Sequence, residues 1–130
     1  MNPSLFNDGL EPKTAAFFHS LCQRLPETEV PALHLEIQNA LQKMQEALSH
    51  NEFLDLTAAN KIAETLTHLL MGYNRFPADQ QALVVGAARY FIEKDDAEHD
   101  TDSILGLDDD IAVLNHVLDQ IGYPDRKIHL

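Results

Sequence analysis

The residues with the clearest capacity for chemistry are carboxylates gathered in one short stretch of the chain. Residues 95–110 hold eight of the 21 acidic side chains, and Lys94 is the only adjacent cation. Keeping these charges together costs self-repulsion, which water and salt largely screen. Three interpretations compete for this acidic segment. Its acids are Asp95, Asp96, Glu98, Asp100, Asp102, Asp108, Asp109 and Asp110.

The first interpretation is helix capping. Three aspartates, Asp108 to Asp110, precede apolar residues with helical spacing. An Asp at a helix start accepts hydrogen bonds from free amides and complements the helix dipole, and each favourable site contributes about 0.5 to 1 kcal/mol. The remaining acids are then solvent-facing residues of a structured turn, in which Gly106 supplies a positive φ.

The second interpretation is a divalent cation site. Calcium and magnesium take several oxygen ligands, and an acidic segment supplies them. The EF-hand pattern fails here. Counted from Asp96, the sixth position is Thr101 instead of Gly and the twelfth is Leu107 instead of Glu.

The third interpretation takes His99 and Asp100 as the His-Asp pair of a metal-dependent phosphohydrolase, with His68 as a further ligand. A lone dipeptide is weak support for this chemistry. The chain has no HExxH, no glycine-rich phosphate loop, no GxSxG and no CxxC. An enzyme with a standard motif is therefore not favoured.

The elements that must position these residues are helices. Apolar residues recur with helical spacing throughout, and no useful length alternates with period two. We predict an all-α protein, a single compact domain of about five helices. The expected parts are a loose lead-in (1–11), helices starting near Pro12, Pro31, Thr57 and Pro77, a polar segment (93–106), a fifth helix capped by Gly122, and a short tail (123–130). The fourth helix is apolar on nearly every side, which is typical of a central helix.

The composition limits the classes of partner that we expect for this protein. The chain has 130 residues and a formal net charge of -12. This charge disfavours nucleic acid and anionic membranes as partners, and no apolar run approaches the roughly 20 residues that span a bilayer.

The single cysteine, Cys22, excludes an internal disulfide and favours the cytoplasm, and we expect it to be a small core residue. Arg75 and Arg89 are isolated and no basic patch is visible, while His116 and Asp119 are expected to form a surface pair.

One family resemblance covers about residues 82–114. The chain carries Tyr90, Asp96, Asp100 and Gly106, followed by an Asp-Asp pair that opens an apolar helix. In this spacing it resembles the YkvA-like family, a bacterial domain of unknown function. The resemblance implies an all-helical domain in which Asp96, Asp100, Asp109 and Asp110 form one joined acidic feature. It implies no established activity.

These observations favour a cytoplasmic, non-catalytic module that acts by protein interaction or regulation. We expect a protein partner or self-association, with the acidic segment as the polar face of the module. The alternative is a divalent-metal-binding protein or a metal-dependent hydrolase that uses Asp96, Asp100, Asp109 and Asp110 as ligands. No other cofactor is indicated.

Overall fold

The structure, a computed structural model, describes residue 10 and residues 12–48, 56–97 and 103–128. These residues form α-helices and short 3-10 turns without a strand, which confirms the predicted all-α class. The helices are α1 (Pro12–Leu21), α2 (Val30–Leu48), α3 (Leu56–Met71), α4 (Ala78–Ala97) and α5 (Ser103–Gln120), and the 3-10 turns are Glu27–Glu29, Tyr73–Arg75 and Pro124–Arg126.

Prolines mark the helix starts as the sequence indicated. Pro12 is the first residue of α1, Pro31 is the second residue of α2, and Pro77 directly precedes α4. Proline suits a first turn because its fixed φ is helical and its missing N–H is not needed there. The predicted starts of the first four helices therefore lie within one residue of the observed ones.

The centre of the bundle is α4. This helix contacts all four other α-helices. Its buried residues lie on most of its circumference, as expected for a sequence that is apolar nearly all round. They are Gln81, Val84, Val85, Gly86, Ala87, Ala88, Tyr90 and Phe91. The buried apolar residues of the described chain form one cluster around this helix.

Two parts of the predicted polar segment are helical. The fourth helix continues to Ala97, and the fifth begins at Ser103. Gly106 therefore lies inside α5, and its predicted role as a positive-φ turn residue is wrong. Among the described residues, the positive φ belongs to Gly122, at 87°.

A continuing apolar pattern explains the early start of α5. Ile104 and Leu107 lie about two helical turns before Ile111 and Leu114, so the same apolar spacing begins earlier in the chain. A glycine inside a helix costs about 1 kcal/mol relative to alanine, which tertiary packing of such a stripe readily offsets. At the end of α4, Glu93 and Lys94 are good helix formers, so the helix runs past its apolar part.

Gly122 ends α5 as predicted. The Tyr123 N–H donates to the Leu118 carbonyl at 2.8 Å, and the Gly122 N–H donates to the Asp119 carbonyl at 3.4 Å. These bonds and the positive φ define a Schellman cap. None of the described helices combines the length and apolar content that a membrane crossing requires.

Candidate functional site

The structure places three of the four predicted metal ligands on helices. Asp96 lies in the last turn of α4, whereas Asp109 and Asp110 lie inside α5. Asp100 is outside the described residues. Successive helix positions differ by about 100° in direction, so positions 109 and 110 belong to different faces of α5.

Asp110 occupies an inward position. Only 5% of its surface is exposed, and it is not an isolated charge. The described part of the chain contains no group of three or more His, Cys, Asp or Glu side chains that could hold a metal ion. The metal site at Asp96, Asp100, Asp109 and Asp110 therefore stays a prediction.

The predicted surface pair of His116 and Asp119 is wrong. His116 is buried and presents its ring edge-on to Phe18, with 6.1 Å between ring centroids. Asp119 is exposed and forms an ion pair with Lys127 at 2.6 Å. The two positions are three residues apart, and at the edge of the buried stripe this spacing is enough to turn one inward and the other to solvent.

Cys22 lies where α1 comes closest to α4. Its thiol donates a hydrogen bond to the Phe18 carbonyl at 3.3 Å. Burial raises the pKa of the Cys22 thiol from 9.0 to about 11. A half-buried thiol with a raised pKa is a poor nucleophile, which agrees with a packing role.

A groove opens between α2 and α3. Its volume is about 510 Å³. We call it the α2–α3 groove, and it is lined by Gln38, Leu41, Asn60, Ala63, Glu64, Thr67, His68 and Met71. This mixture of apolar and polar side chains resembles a non-obligate protein interface more than a dry core.

Two residues of the α2–α3 groove are unusual. Met71 is 83% exposed although methionine is an apolar residue. The Thr67 hydroxyl oxygen is inaccessible to solvent and has no hydrogen-bond partner in the structure. A helical threonine commonly bonds a carbonyl in the preceding turn, so this hydroxyl retains unused capacity. Glu64 and His68 also line the groove.

A second cavity, of about 460 Å³, adjoins the groove. It lies between α3 and the C-terminal segment, and Glu64 and His68 line both cavities. We call it the cationic cleft, and it is lined by Lys61, Glu64, Thr65, His68, Arg126, Lys127 and Ile128. Three of the nine Lys and Arg residues of the chain meet here. No basic patch is visible in the sequence because these cations come from separate segments of the chain.

The C-terminal segment is fixed against α5 by one side chain. The Asn115 amide donates to the Ile128 carbonyl at 3.0 Å and accepts from the Ile128 N–H at 2.8 Å. Ile128 is buried, with 7% of its surface exposed. This pairing places Arg126 and Lys127 beside α3, and no local sequence pattern predicts it.

Comparison of the chain with protein-family models, with curated proteins and with solved structures finds no match. The resemblance to the YkvA-like family therefore stays a prediction. The features of the described residues that bear on function are the two cavities and the chemistry of their linings.

Proposed function

We propose that the protein is a non-catalytic interaction module whose binding surface is the α2–α3 groove and whose first partner is a second copy of the chain. The observation that carries this proposal is Met71, an apolar side chain that is 83% exposed at the mouth of the groove. An exposed apolar residue beside a concave surface is typical of an interface that a partner covers.

The chemistry of the groove supports a protein occupant. Leu41, Ala63 and Met71 offer apolar contact, and Gln38 and Asn60 offer amide hydrogen bonds. Non-obligate interfaces have this composition, with a few apolar anchors among polar groups. A groove of about 510 Å³ has room for side chains inserted from another helix.

The charge distribution favours a second copy at this face. The chain carries -12 overall, so two copies repel each other over most of their surface. Repulsion is weakest where the cations are concentrated, and the cationic cleft adjoins the groove through Glu64 and His68. In a two-fold pairing each copy contributes the same patch, so Lys61 of each copy can oppose Glu64 of the other.

Sedimentation velocity over a concentration series tests this proposal. We expect the wild-type protein to show a dimer that increases with concentration, and more so at moderate salt because salt screens the net charge. Met71→Glu places a charge at the anchor and is expected to weaken association by about tenfold or more.

Leu35→Glu is the matched control. Leu35 is also an exposed apolar residue, at 61%, but it lies outside the groove lining. Its substitution adds the same charge and is expected to leave association within about twofold of wild type. A protein that stays monomeric at every concentration contradicts the proposal, as does equal loss of association in both variants.

The metal alternative is tested on the same preparations. Chelator-treated protein is unfolded thermally with calcium, magnesium, manganese or zinc added at matched ionic strength. A specific ion at a hundred times its dissociation constant stabilises by about 2.7 kcal/mol. Stabilisation by one metal that disappears in an Asp96→Asn, Asp109→Asn double variant would move the function to the acidic segment.

A further inference from the structure

The cationic cleft is a local reversal of charge on an acidic protein. Lys61 comes from α3, and Arg126 and Lys127 come from the C-terminal segment. The chain has 21 acidic residues and nine Lys and Arg residues. A cavity lined by three cations is not expected from this average composition. Their mutual repulsion disfavours the arrangement unless an anion offsets it.

The neighbouring acids offset part of this charge. Lys127 is neutralised by its 2.6 Å ion pair with Asp119 on α5. Glu64 is the one carboxylate among the described residues that line the cleft. Within the described parts of the chain, the Lys61 and Arg126 side chains have no ion pair. Lys61 and Arg126 therefore supply the positive charge available to a ligand.

The backbone that carries Arg126 and Lys127 is held in place before any ligand arrives. The Schellman cap at Gly122 reverses the chain after α5, and Asn115 fixes Ile128. Arg126 lies between these two fixed points, and its N–H donates to the Tyr123 carbonyl at 3.1 Å. The backbone is therefore ordered during folding, and ligand binding does not carry the entropy cost of ordering it.

We infer that the cationic cleft binds a small phosphorylated molecule through its phosphate group. A guanidinium presents paired N–H donors that match phosphate oxygens, and a lysine ammonium adds a point charge. The Thr65 hydroxyl, in the same lining, is a further donor. A volume of about 460 Å³ lies in the range of small-molecule sites. This inference does not depend on dimer formation.

The test uses inorganic phosphate and pyrophosphate as probes, followed by amide chemical shifts of the purified full chain at a concentration where it is monomeric. We expect saturable shifts confined to the cleft-lining segments of α3 and the C-terminus, with pyrophosphate binding more tightly. A Lys61→Ala, Arg126→Ala double variant is expected to weaken pyrophosphate binding by about tenfold or more.

Two controls separate a site from general charge. A Lys13→Ala, Arg75→Ala double variant removes two exposed cations outside the cleft and is expected to bind within about twofold of wild type. Glu64→Gln removes the repelling carboxylate and is expected to strengthen binding by about two- to fivefold. Met71→Glu should retain pyrophosphate binding, so failure of this inference and failure of self-association give different results.

Three outcomes overturn the inference. One is the absence of saturable shifts with either probe. A second is equal weakening in the Lys61/Arg126 and Lys13/Arg75 variants, which indicates non-specific attraction. A third is citrate binding as tightly as pyrophosphate, because a tricarboxylate of similar charge would then satisfy the cleft and the phosphate assignment would fail.

Discussion

The α1–α4 contact and the α2–α3 groove show two ways in which helices of one bundle meet. At the first, Gly86 of α4 lets α1 approach so closely that a Cβ built on it would lie 2.5 Å from the Cys22 Sγ and 2.9 Å from Phe18 Cε1. At the second, the helices leave a cavity of about 510 Å³ and expose Met71.

This difference separates structural residues from residues available for binding. The close contact has no room for another side chain, so its residues can only stabilise the fold. The open contact leaves an apolar side chain, Met71, exposed to solvent. Substitutions should therefore change stability at the α1–α4 contact and change association at the α2–α3 groove.

The largest effect expected at the α1–α4 contact is on the reactivity of the Cys22 thiol. The pKa of Cys22 is raised from 9.0 to about 11, so at neutral pH the thiolate is about a hundredfold less populated than in an unburied thiol. We expect alkylation by iodoacetamide to be slower by about this factor and to rise toward pH 11. The folded state also loses stability between pH 9.0 and about 11, where the unfolded thiol ionises first.

The matched control places a cysteine on the open side. Met71→Cys in a Cys22→Ser background is expected to react at the rate of an ordinary exposed thiol. Similar rates at Cys22 and at the new cysteine would mean that the α1–α4 contact opens readily in solution, and the comparison of the two contacts would fail.

The next effect is steric. Gly86→Ala forces the Cys22 Sγ, the Phe18 ring and the Cys22 Cα, at 3.2 Å, to move. We expect a loss of about 2 kcal/mol in the free energy of unfolding, after allowing about 1 kcal/mol gained in helix propensity. Urea denaturation measures it.

Gly72→Ala is the control for this substitution. A Cβ at Gly72 meets nothing closer than the Leu69 carbonyl oxygen at 3.9 Å. We expect stability to stay within about 0.5 kcal/mol of wild type. If Gly86→Ala is equally neutral, α1 is not held against α4 as closely as the structure describes.

A smaller loss of stability is expected when the hydrogen bonds between Tyr73 and Leu25 are removed. The Tyr73 hydroxyl donates to the Leu25 carbonyl at 2.6 Å and accepts from the Leu25 N–H at 2.9 Å. Tyr73→Phe leaves both buried groups of Leu25 unsatisfied, for an expected loss of about 1.5 kcal/mol.

Gln81 offers a comparison within the same network. Its side-chain amide donates to the Tyr73 carbonyl at 2.9 Å and accepts from Arg24 Nε at 2.6 Å. A Tyr73→Phe, Gln81→Leu double variant should differ from the sum of the single losses, because neighbouring polar groups couple. Strict additivity would show that the two bonds act independently.

The close contact could be predicted in part from sequence. Helical spacing and prolines located α1 to α4, and an apolar sequence on nearly every side indicated that the fourth helix is central. The early start of α5 was missed because Gly106 was interpreted as a turn residue, although Ile104 and Leu107 continue the apolar stripe. One unfavourable residue was given more weight than a longer pattern.

The cationic cleft could not be predicted from sequence. Lys61 and Arg126 belong to distant segments, and they meet because the Gly122 cap turns the chain and Asn115 holds Ile128. The acidic segment is conspicuous because its charges lie close together along the chain. Consecutive positions of a helix lie on different faces, whereas charges that are distant in sequence can line one cavity, so clustering along the chain is a poor guide to a site.

The smallest effect on stability is expected at the open groove. Met71→Ser removes an apolar side chain that is 83% exposed, so little buried surface is lost, and we expect the free energy of unfolding to change by no more than about 0.5 kcal/mol. Association should nevertheless weaken, because the contact proposed for Met71 is made with the second copy of the chain. Urea denaturation at low protein concentration and sedimentation at high concentration measure the two quantities on one variant. If Met71→Ser lowers stability by as much as Gly86→Ala, then Met71 packs within its own chain, and the division between a closed structural contact and an open binding face is lost.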